Sequence, residues 1–368
     1  MSLLRGHSGR SESSDSFRRA LWVEIVHSPH WLDSDDELDG LFNFLHESNM
    51  TDVIVQVYRG GEPWWKSNSQ RTGRGSAASL ARLLEWGKQH SVKIHGWVNI
   101  FRSSNGLPPE LNEKDLAASS LGGPEKQGKH SVDTDGDWID PASSRMREFV
   151  PTLISSLLED FPEFSGIHLD YFRYPYALPI RPGSTVKAGI DYGYGVEARG
   201  RFIAECTEGL DPFSLNTDGA FEIAGYSKAL AWDQWRRDQV SQYLARIRDC
   251  ISGRELSVAV VPWPDRAYLS AFQDWRGWLT EELVDRVYLM AYSRDRRMLG
   301  YLATQAAAFQ RLQATVSLGL GAYLLEDLEE LRKQIDLAKG AGLNGYAIFS
   351  YQSLQRSTNA ILSHLSKE

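Results

Sequence analysis

Short runs of apolar residues recur along the chain, and amphipathic segments separate them. The runs are rich in Val, Ile, Leu and aromatic residues, which is the pattern of buried β-strands. Most of them are apolar at successive rather than alternate positions, so we expect a parallel sheet buried on both faces. The predicted strands begin near residues 20, 52, 93, 166, 255, 286, 315 and 345.

Apolar residues at helical spacing lie between the predicted strands. They predict helices over residues 35–48, 76–89, 141–159, 196–208, 235–251, 275–283, 301–312 and 327–341. The last three intervals between strands are each about 30 residues long, the length of one strand–helix–strand unit. No G-x-G-x-x-G motif follows any strand, which argues against an open dinucleotide-binding sheet. Eight such units therefore predict a (β/α)8 TIM barrel.

We interpret the barrel as a single domain over residues 19–368, preceded by a disordered polar tail at residues 1–18. Two stretches between a strand and its helix are long, one at about 101–140 after strand three and one at about 176–232 after strand four. We expect these insertions to wall one side of the barrel mouth. The mouth is formed by the C-terminal ends of the strands, where barrel active sites lie.

The composition of the 368 residues excludes several classes of function. A net charge of -8 argues against a nucleic-acid-binding surface, and no apolar run approaches the 18 or so residues of a membrane span. The N-terminal stretch lacks the apolar core of a signal peptide. The two Cys residues form no metal-site spacing, and we predict neither a cofactor nor a resident metal. The oligomeric state is left open.

The fourth predicted strand carries the main candidate for catalysis, in the segment GIHLDYFRYP at 166–175. Side chains alternate along a strand, so His168 and Asp170 share one face. A carboxylate that ends an apolar strand is costly to bury unless it is paired or takes part in chemistry. We therefore predict that Asp170 is catalytic; the alternative is a structural Asp that binds nearby backbone.

Acids, amides and aromatic residues also lie at the other strand ends. Hydroxyl groups need polar partners and the apolar face of a sugar packs on aromatic rings, so this combination favours a carbohydrate ligand. Glycosidases use two carboxyl groups, and the candidates for the second are Asp295 after strand six and Glu24 in strand one. The alternative for Asp295 is a solvated charge among neighbouring arginines, and the alternative for Glu24 is a buried ion pair with Arg59 or Lys93. The residues predicted to bind substrate are Gln56, Arg59, His95, Trp97, Asn99, His168, Arg173, Tyr174, Trp263, Tyr292 and Tyr323.

Several ordered motifs resemble one known family. They are GIHLDYFRYP, WRRDQV at 235–240, VYLMAYSRD at 287–295, GLGAYL at 319–324, GYAIFSYQSL at 345–354, QVYRGG at 56–61 and HGWVN at 95–99. Together they resemble the family-10-like glycosyl hydrolases, the DUF187 or GHL10 group. The resemblance implies a TIM-barrel glycosidase, often exported to the periplasm or cell exterior, with activity on bacterial cell-wall glycan in some members. The sequence departs from the commoner FDDYFYP pattern, so a role of the second Asp cannot be carried over.

The sequence thus predicts a glycoside hydrolase that cleaves a polysaccharide or cell-wall-type glycan through a carboxylate pair that includes Asp170. Two alternatives stay open. One is a non-catalytic glycan-binding barrel, and the other is a metal-dependent hydrolase with His168 and Asp170 as ligands. A second Asp or Glu within about 10 Å of Asp170 distinguishes the enzyme from the binding protein.

Overall fold

The computed structural model describes residues 17–25, 34–59, 61–65, 77–103, 106–120, 137–176, 191–206, 210–215, 223–310 and 315–355. The predicted polar tail lies outside these ranges as far as residue 16, whereas Arg18 is the first residue of a strand. Large parts of the two predicted insertions, including residues 121–136 and 177–190, also lie outside the described residues.

Eight parallel strands form a closed barrel, which confirms the predicted (β/α)8 fold. The strands are β1 (Arg18–Val23), β2 (Asp52–Arg59), β3 (Lys93–Asn99), β4 (Gly166–Asp170), β5 (Glu255–Val260), β6 (Arg286–Met290), β7 (Thr315–Gly321) and β8 (Gly345–Phe349). Each strand pairs with the next, and β1 pairs with both β2 and β8, which closes the sheet. The two-residue strand Glu62–Pro63 extends the barrel sheet by pairing antiparallel with β2. Arg102–Ser103 and Asp137–Trp138 pair with each other in a separate two-stranded sheet.

Helices follow the strands and cover the outside of the barrel. They are α1 (Asp35–Glu47), α2 (Ala77–Gln89), α3 (Ser144–Asp160), α4 (Val196–Glu205), α5 (Ile223–Cys250), α6 (Pro264–Arg266), α7 (Trp275–Thr280), α8 (Arg296–Gln310), α9 (Leu328–Gly340) and α10 (Tyr351–Gln355). None of the helices within the described ranges is long and apolar enough to cross a membrane.

Three helix starts differ from the predicted ones by three residues or more. Helix α3 begins at Ser144 instead of residue 141, because the Ser143 side chain accepts the Met146 N–H and acts as the N-cap. The predicted cap, Asp140, instead accepts hydrogen bonds from the Ala142 N–H and the Tyr174 hydroxyl. Helices α5 and α8 start earlier than predicted, at residues 223 and 296, where polar side chains interrupt the apolar spacing.

The barrel interior has a chemically different filling at each end. Charged and polar groups occupy the N-terminal end, where Arg18 forms ion pairs with Asp52 and Glu255 and His95 Nε2 lies 3.0 Å from the Asp52 carboxylate. Arg286 donates to Ser317 Oγ at 2.8 Å in the same region. Above this layer lies an aromatic one that includes Trp22, Trp97 and Tyr288, and above that the mouth.

Candidate active site

Asp170 is the last residue of β4 and lies level with Asn99 of β3, at the mouth. The next residue, Tyr171, has a φ of 50°, a left-handed conformation that costs a non-glycine residue roughly 1–2 kcal/mol. This conformation turns the Tyr171 N–H onto Asp170 Oδ1, at 2.6 Å. The sharp turn therefore holds the carboxyl group in place, and strain of this kind is found at functional sites.

Burial raises the pKa of the Asp170 carboxyl group. The Tyr171 N–H, the guanidinium groups of Arg173 and Arg102 and the indole N–H of Trp97 oppose this effect without cancelling it. The buried indole N–H of Trp97 makes no hydrogen bond of ordinary geometry with any described residue, so its effect on Asp170 is that of a nearby donor. A carboxyl group that keeps its proton to higher pH than usual suits a general acid.

Glu24 follows β1 directly and is buried, with 6% of its surface exposed. The Gln352 side chain fixes its backbone, accepting from the Glu24 N–H at 3.1 Å and donating to its carbonyl at 2.7 Å. The Glu24 carboxylate acts on both Arg59 and Tyr292, and Asp170 acts on the same two side chains. Glu24 and Asp170 therefore have Arg59 and Tyr292 as common neighbours at the barrel mouth.

Asp295 has a different environment from these two acids. It is exposed, and its carboxylate accepts the N–H groups of Arg297 at 2.8 Å and Met298 at 3.4 Å, as a helix N-cap does. It is not among the groups that act most strongly on Asp170. Glu24 thus shares neighbouring side chains with Asp170, whereas Asp295 caps the start of α8 on the exposed surface.

Three half-buried arginines stand beside Asp170: Arg59, Arg102 and Arg173. Arg102 donates to the Tyr171 hydroxyl at 2.9 Å, and its Cζ lies 4.8 Å from the centre of that ring. Arg59 lies at the end of β2, where burial lowers the pKa of its guanidinium and Glu24 and Asp170 act in the opposite direction. These three guanidinium groups place positive charge near the Asp170 carboxyl group.

Aromatic rings form the opposite side of the mouth. The Tyr292 ring lies 6.0 Å from the Tyr323 ring and 5.5 Å from the Phe349 ring. Tyr323 is 52% exposed, which leaves a face open to a ligand. Burial raises the pKa of the Tyr292 phenol well above its usual range, so it keeps its proton and remains a hydrogen-bond donor.

Two amides connect the ends of neighbouring strands. Gln56 Oε1 accepts the Ile25 N–H and Gln56 Nε2 donates to Asn99 Oδ1, each at 3.4 Å. These long contacts join the ends of β1, β2 and β3 on the side where Glu24 lies. Asn99 thus lies level with Asp170 at the mouth, and the Gln56 side chain reaches it from one layer deeper in β2.

The two histidines predicted to bind substrate are not at the mouth, and this corrects the sequence interpretation. His95 lies level with Gly166, at the start of β4, and faces Asp52. His168 is fully buried; its Nε2 accepts the Trp22 indole N–H at 3.2 Å and its Nδ1 lies 3.0 Å from Ser257 Oγ. Burial lowers its pKa, so the ring is neutral.

Because protein groups occupy both nitrogens of His168, the ring has no lone pair left for a metal ion. No group of three His, Cys, Asp or Glu side chains in the described ranges could hold one. This removes the basis for the metal-dependent alternative, which needed His168 and Asp170 as joint ligands.

Tyr174 differs from its predicted role, and the role of Trp263 stays a prediction. Tyr174 is fully buried, packs on Phe272 and donates from its hydroxyl to Asp140 Oδ1 at 3.0 Å, so it does not face a substrate. Trp263 is half-buried and lies before α6, with the Arg266 Cζ 4.9 Å from its ring centre. The alternation of side chains identified these as strand-end aromatics but could not show their direction.

Sequence reasoning missed several residues of the site, above all Arg102, Tyr171, Trp138 and Phe349. Tyr171 lies within the central motif, and Phe349 ends β8. Arg102 lies three residues after the end of β3, within the predicted insertion at about 101–140. A rule that includes the strand end and a few positions beyond it finds Arg102, Tyr171 and Phe349, whereas Trp138 lies far from any barrel strand and carries no such signal.

The fold is similar to several solved structures. It resembles the catalytic domain of β-amylase from Paenibacillus polymyxa, with a TM-score of 0.65, 11% identity and coverage of 96% of this chain and 97% of that one. For α-L-fucosidase isoenzyme 2 from Paenibacillus thiaminolyticus the TM-score is 0.62 and the identity 13%, with 95% of this chain and 48% of that one covered. For β-galactosidase from Bacillus circulans sp. alkalophilus the TM-score is 0.59 and the identity 11%, with 92% of this chain and 51% of that one covered. The chain spans about half the length of the last two, and at these identities the likeness concerns the fold.

No curated protein matches the chain by sequence. The model of one family, described as glycosyl hydrolase-like 10, matches residues 18–319. That range contains Glu24, Asp170 and all three arginines of the mouth, and the match confirms the resemblance seen in the motifs. The chain therefore belongs to the glycosyl hydrolase-like 10 family.

Proposed function

We propose that the protein is a glycoside hydrolase that uses Asp170 and Glu24 as its carboxylate pair on a polysaccharide or cell-wall-type glycan. The observation that carries the proposal is that both acids, which come from β4 and the end of β1, act on the same two side chains, Arg59 and Tyr292. Membership of the glycosyl hydrolase-like 10 family supports the reaction class.

The two acids have environments suited to different roles. Asp170, with its raised pKa, protonates the leaving glycosidic oxygen as general acid. Glu24, whose carboxylate acts on the Arg59 guanidinium, attacks the anomeric carbon as nucleophile or activates a water as base. The exposed Tyr323 ring and its neighbours offer a platform for the apolar face of a sugar.

The first experiment replaces each carboxylate by its amide. Asp170→Asn and Glu24→Gln keep size and shape but remove proton transfer and charge, so we expect turnover of glycans to fall by about 10²–10⁴-fold in each. Activity on a panel of cell-wall and plant glycans measures the loss, and thermal unfolding checks that both variants fold. The anomeric configuration of the first product, followed by NMR, assigns Glu24 as nucleophile or base.

Asp295→Asn is the matched control, because it makes the same chemical change at an exposed helix cap. We expect full turnover from it. If Asp170→Asn retains turnover, Asp170 is not the general acid. If Asp295→Asn loses turnover and Glu24→Gln does not, the second carboxylate is Asp295 and not Glu24. A wild-type protein that binds glycans and hydrolyses none is instead a glycan-binding barrel.

A further inference from the structure

A glutamine on the short helix after β8 binds the backbone of Glu24 through two hydrogen bonds. Gln352 Oε1 accepts the Glu24 N–H at 3.1 Å, and Gln352 Nε2 donates to the Glu24 carbonyl at 2.7 Å. The glutamine is buried, with 5% of its surface exposed. Only one orientation of the amide satisfies both partners, because the N–H must donate and the carbonyl must accept. One side chain thus fixes both backbone groups of Glu24.

These hydrogen bonds take the place of a neighbouring strand where β1 ends. The paired register of β1 stops at Trp22 on the β8 side and at Val23 on the β2 side. Buried backbone groups beyond that point need partners from elsewhere. Gln352 provides them for Glu24, and on the β2 side Gln56 Oε1 accepts the N–H of the next residue at 3.4 Å. Amide side chains therefore hold the chain on both sides of the point where Glu24 leaves the sheet.

Helix α10, which carries Gln352, is packed against both the outside of the barrel and its mouth. The Tyr351 ring lies 5.4 Å from the Phe44 ring of α1, and Leu354 is 2% exposed. The helix also contacts the turn at Ala322–Leu324, on the aromatic side of the mouth. The whole segment lies after residue 319, where the match to the family model ends. A part of the chain outside that match therefore supports the end of β1.

We propose that Gln352 is a positioning residue, which holds the Glu24 backbone so that its carboxylate meets the anomeric carbon or the attacking water. This inference rests on the proposed glycosidase function and adds to it a residue that acts through Glu24. A misplacement of about 1 Å at a reacting group can cost about a hundredfold in rate. Gln352 orients the reacting group and not the glycan, so its loss should lower kcat and leave KM nearly unchanged.

The test is a double-mutant cycle between Gln352 and Glu24. Gln352→Met keeps an unbranched side chain and removes both hydrogen bonds, so we expect kcat to fall by about tenfold to a hundredfold. In the Glu24→Gln background the same substitution should cause no further loss, because no carboxylate is left to misplace. The probes are bacterial cell-wall glycan strands, xylan and barley β-glucan, and the cycle is measured on the one that the wild type hydrolyses fastest.

The matched control is Gln310→Met, because Gln310 makes the same pair of hydrogen bonds at the other end of the barrel. Its Nε2 donates to the Gly342 carbonyl at 2.7 Å, and its Oε1 accepts the Asn344 N–H at 2.8 Å, just before β8 begins. We expect Gln310→Met to keep the wild-type kcat. Thermal unfolding of the two Met variants compares their effects on stability.

A milder variant tests the same bonds if Gln352→Met does not fold. Gln352→Glu keeps the shape of the side chain and the oxygen that accepts the Glu24 N–H. The carboxylic acid form can also donate to the Glu24 carbonyl, whereas the carboxylate cannot. The kcat of Gln352→Glu relative to the wild type should therefore fall as the pH rises and the new carboxyl group ionises. A ratio that is independent of pH overturns the positioning role.

The outcomes distinguish this inference from the proposed function. An unchanged kcat in Gln352→Met overturns the positioning role and leaves Glu24 as the second carboxylate. A loss that is as large in the Glu24→Gln background as in the wild type does the same, because Gln352 then acts on the structure in general. Turnover retained in Glu24→Gln alone overturns the carboxylate pair and the positioning role with it, as does a wild type that hydrolyses none of the three probes.

Discussion

The residues around Asp170 connect its protonation to the charge beside it. Burial raises the pKa of this carboxyl group, and Arg173 holds it lower than burial alone would. If Asp170 is the general acid, activity falls as the pH rises through its pKa. We predict that Arg173→Gln raises this pKa further, so the basic limb of the kcat/KM profile on a neutral glycan moves to higher pH.

Arg82→Gln is the matched control for this pH profile, because Arg82 lies on the outer helix α2 and forms exposed ion pairs with Asp35 and Asp39. Surface pairs of this kind contribute at most about 1 kcal/mol, and the profile should not move. A basic limb that stays in place or moves to lower pH in Arg173→Gln would mean that a group other than Asp170 donates the proton.

Strands were easier to predict than helices, and the reason lies in where each element is buried. Strand β3 covers residues 93–99 and β8 residues 345–349, as predicted, because barrel strands are buried on both faces and read as continuous apolar runs. Helix α5 was predicted from its second half only. Its first half carries Trp232, which packs on α4 in a separate small core, so its apolar positions do not repeat evenly.

The site could be predicted from sequence only in part, for a related reason. Asp170 stood out because a strand-end acid inside an apolar run is unusual. Glu24 and Asp295 looked alike, since spacing gives the position after a strand but not whether the side chain turns inwards or caps a helix. His95 has the alternation of an inward side chain, but its depth depends on strand register, which no single strand reveals.

At the level of the element, a glycine sets the start of the central strand. A Cβ added to Gly166 would lie 2.4 Å from the Glu255 carbonyl oxygen and 2.7 Å from His95 Nδ1. The backbone of β5 would have to move, so we predict that Gly166→Ala destabilises the protein by about 1–3 kcal/mol or more. Urea unfolding followed by circular dichroism measures the change.

Gly200, inside α4, provides the opposite case. No atom of the described ranges outside the helix's own backbone lies within 4 Å of a Cβ added there, and its backbone is helical. Replacing it by Ala should stabilise the protein by about 0.5–1 kcal/mol, since glycine is a poor helix residue. Equal effects of the two substitutions would show that the contact with β5 does not restrict residue 166.

Across the whole molecule, the barrel separates stability from chemistry. The mouth contains Asp170, Glu24, arginines and the exposed Tyr323 ring, whereas the N-terminal end contains charges that are paired with one another and largely buried. Side chains of β1, β2, β3, β5 and β6 meet there, through Arg18, Asp52, His95, Glu255 and Arg286. Because the N-terminal end stabilises the barrel, the C-terminal end can contain a buried acid beside a strained backbone turn, as at Asp170 and Tyr171.

The buried charges make stability depend on pH through Asp52. Burial raises the pKa of this carboxyl group, but the hydrogen bond and attraction of His95 and the charge of Arg18 outweigh burial, so the pKa is lowered from 3.8. A group with a lowered folded pKa stabilises the protein fully above its unfolded pKa, and this contribution is lost as the pH falls below that value. We predict that Asp52→Asn costs about 3–5 kcal/mol near neutral pH, because it leaves Arg18 buried beside a neutral amide.

The difference in unfolding free energy between the wild type and Asp52→Asn should therefore narrow as the pH falls below 3.8. Asp39→Asn, which breaks only an exposed pair with Arg82, should cost at most about 1 kcal/mol at any pH. Turnover per folded molecule should be unchanged in Asp52→Asn, measured well below its unfolding temperature, since Asp52 lies at the end of the barrel away from Asp170. A variant that unfolds no more easily than the wild type would show that the ion cluster balances its own desolvation, and stability would then come from the apolar layers alone.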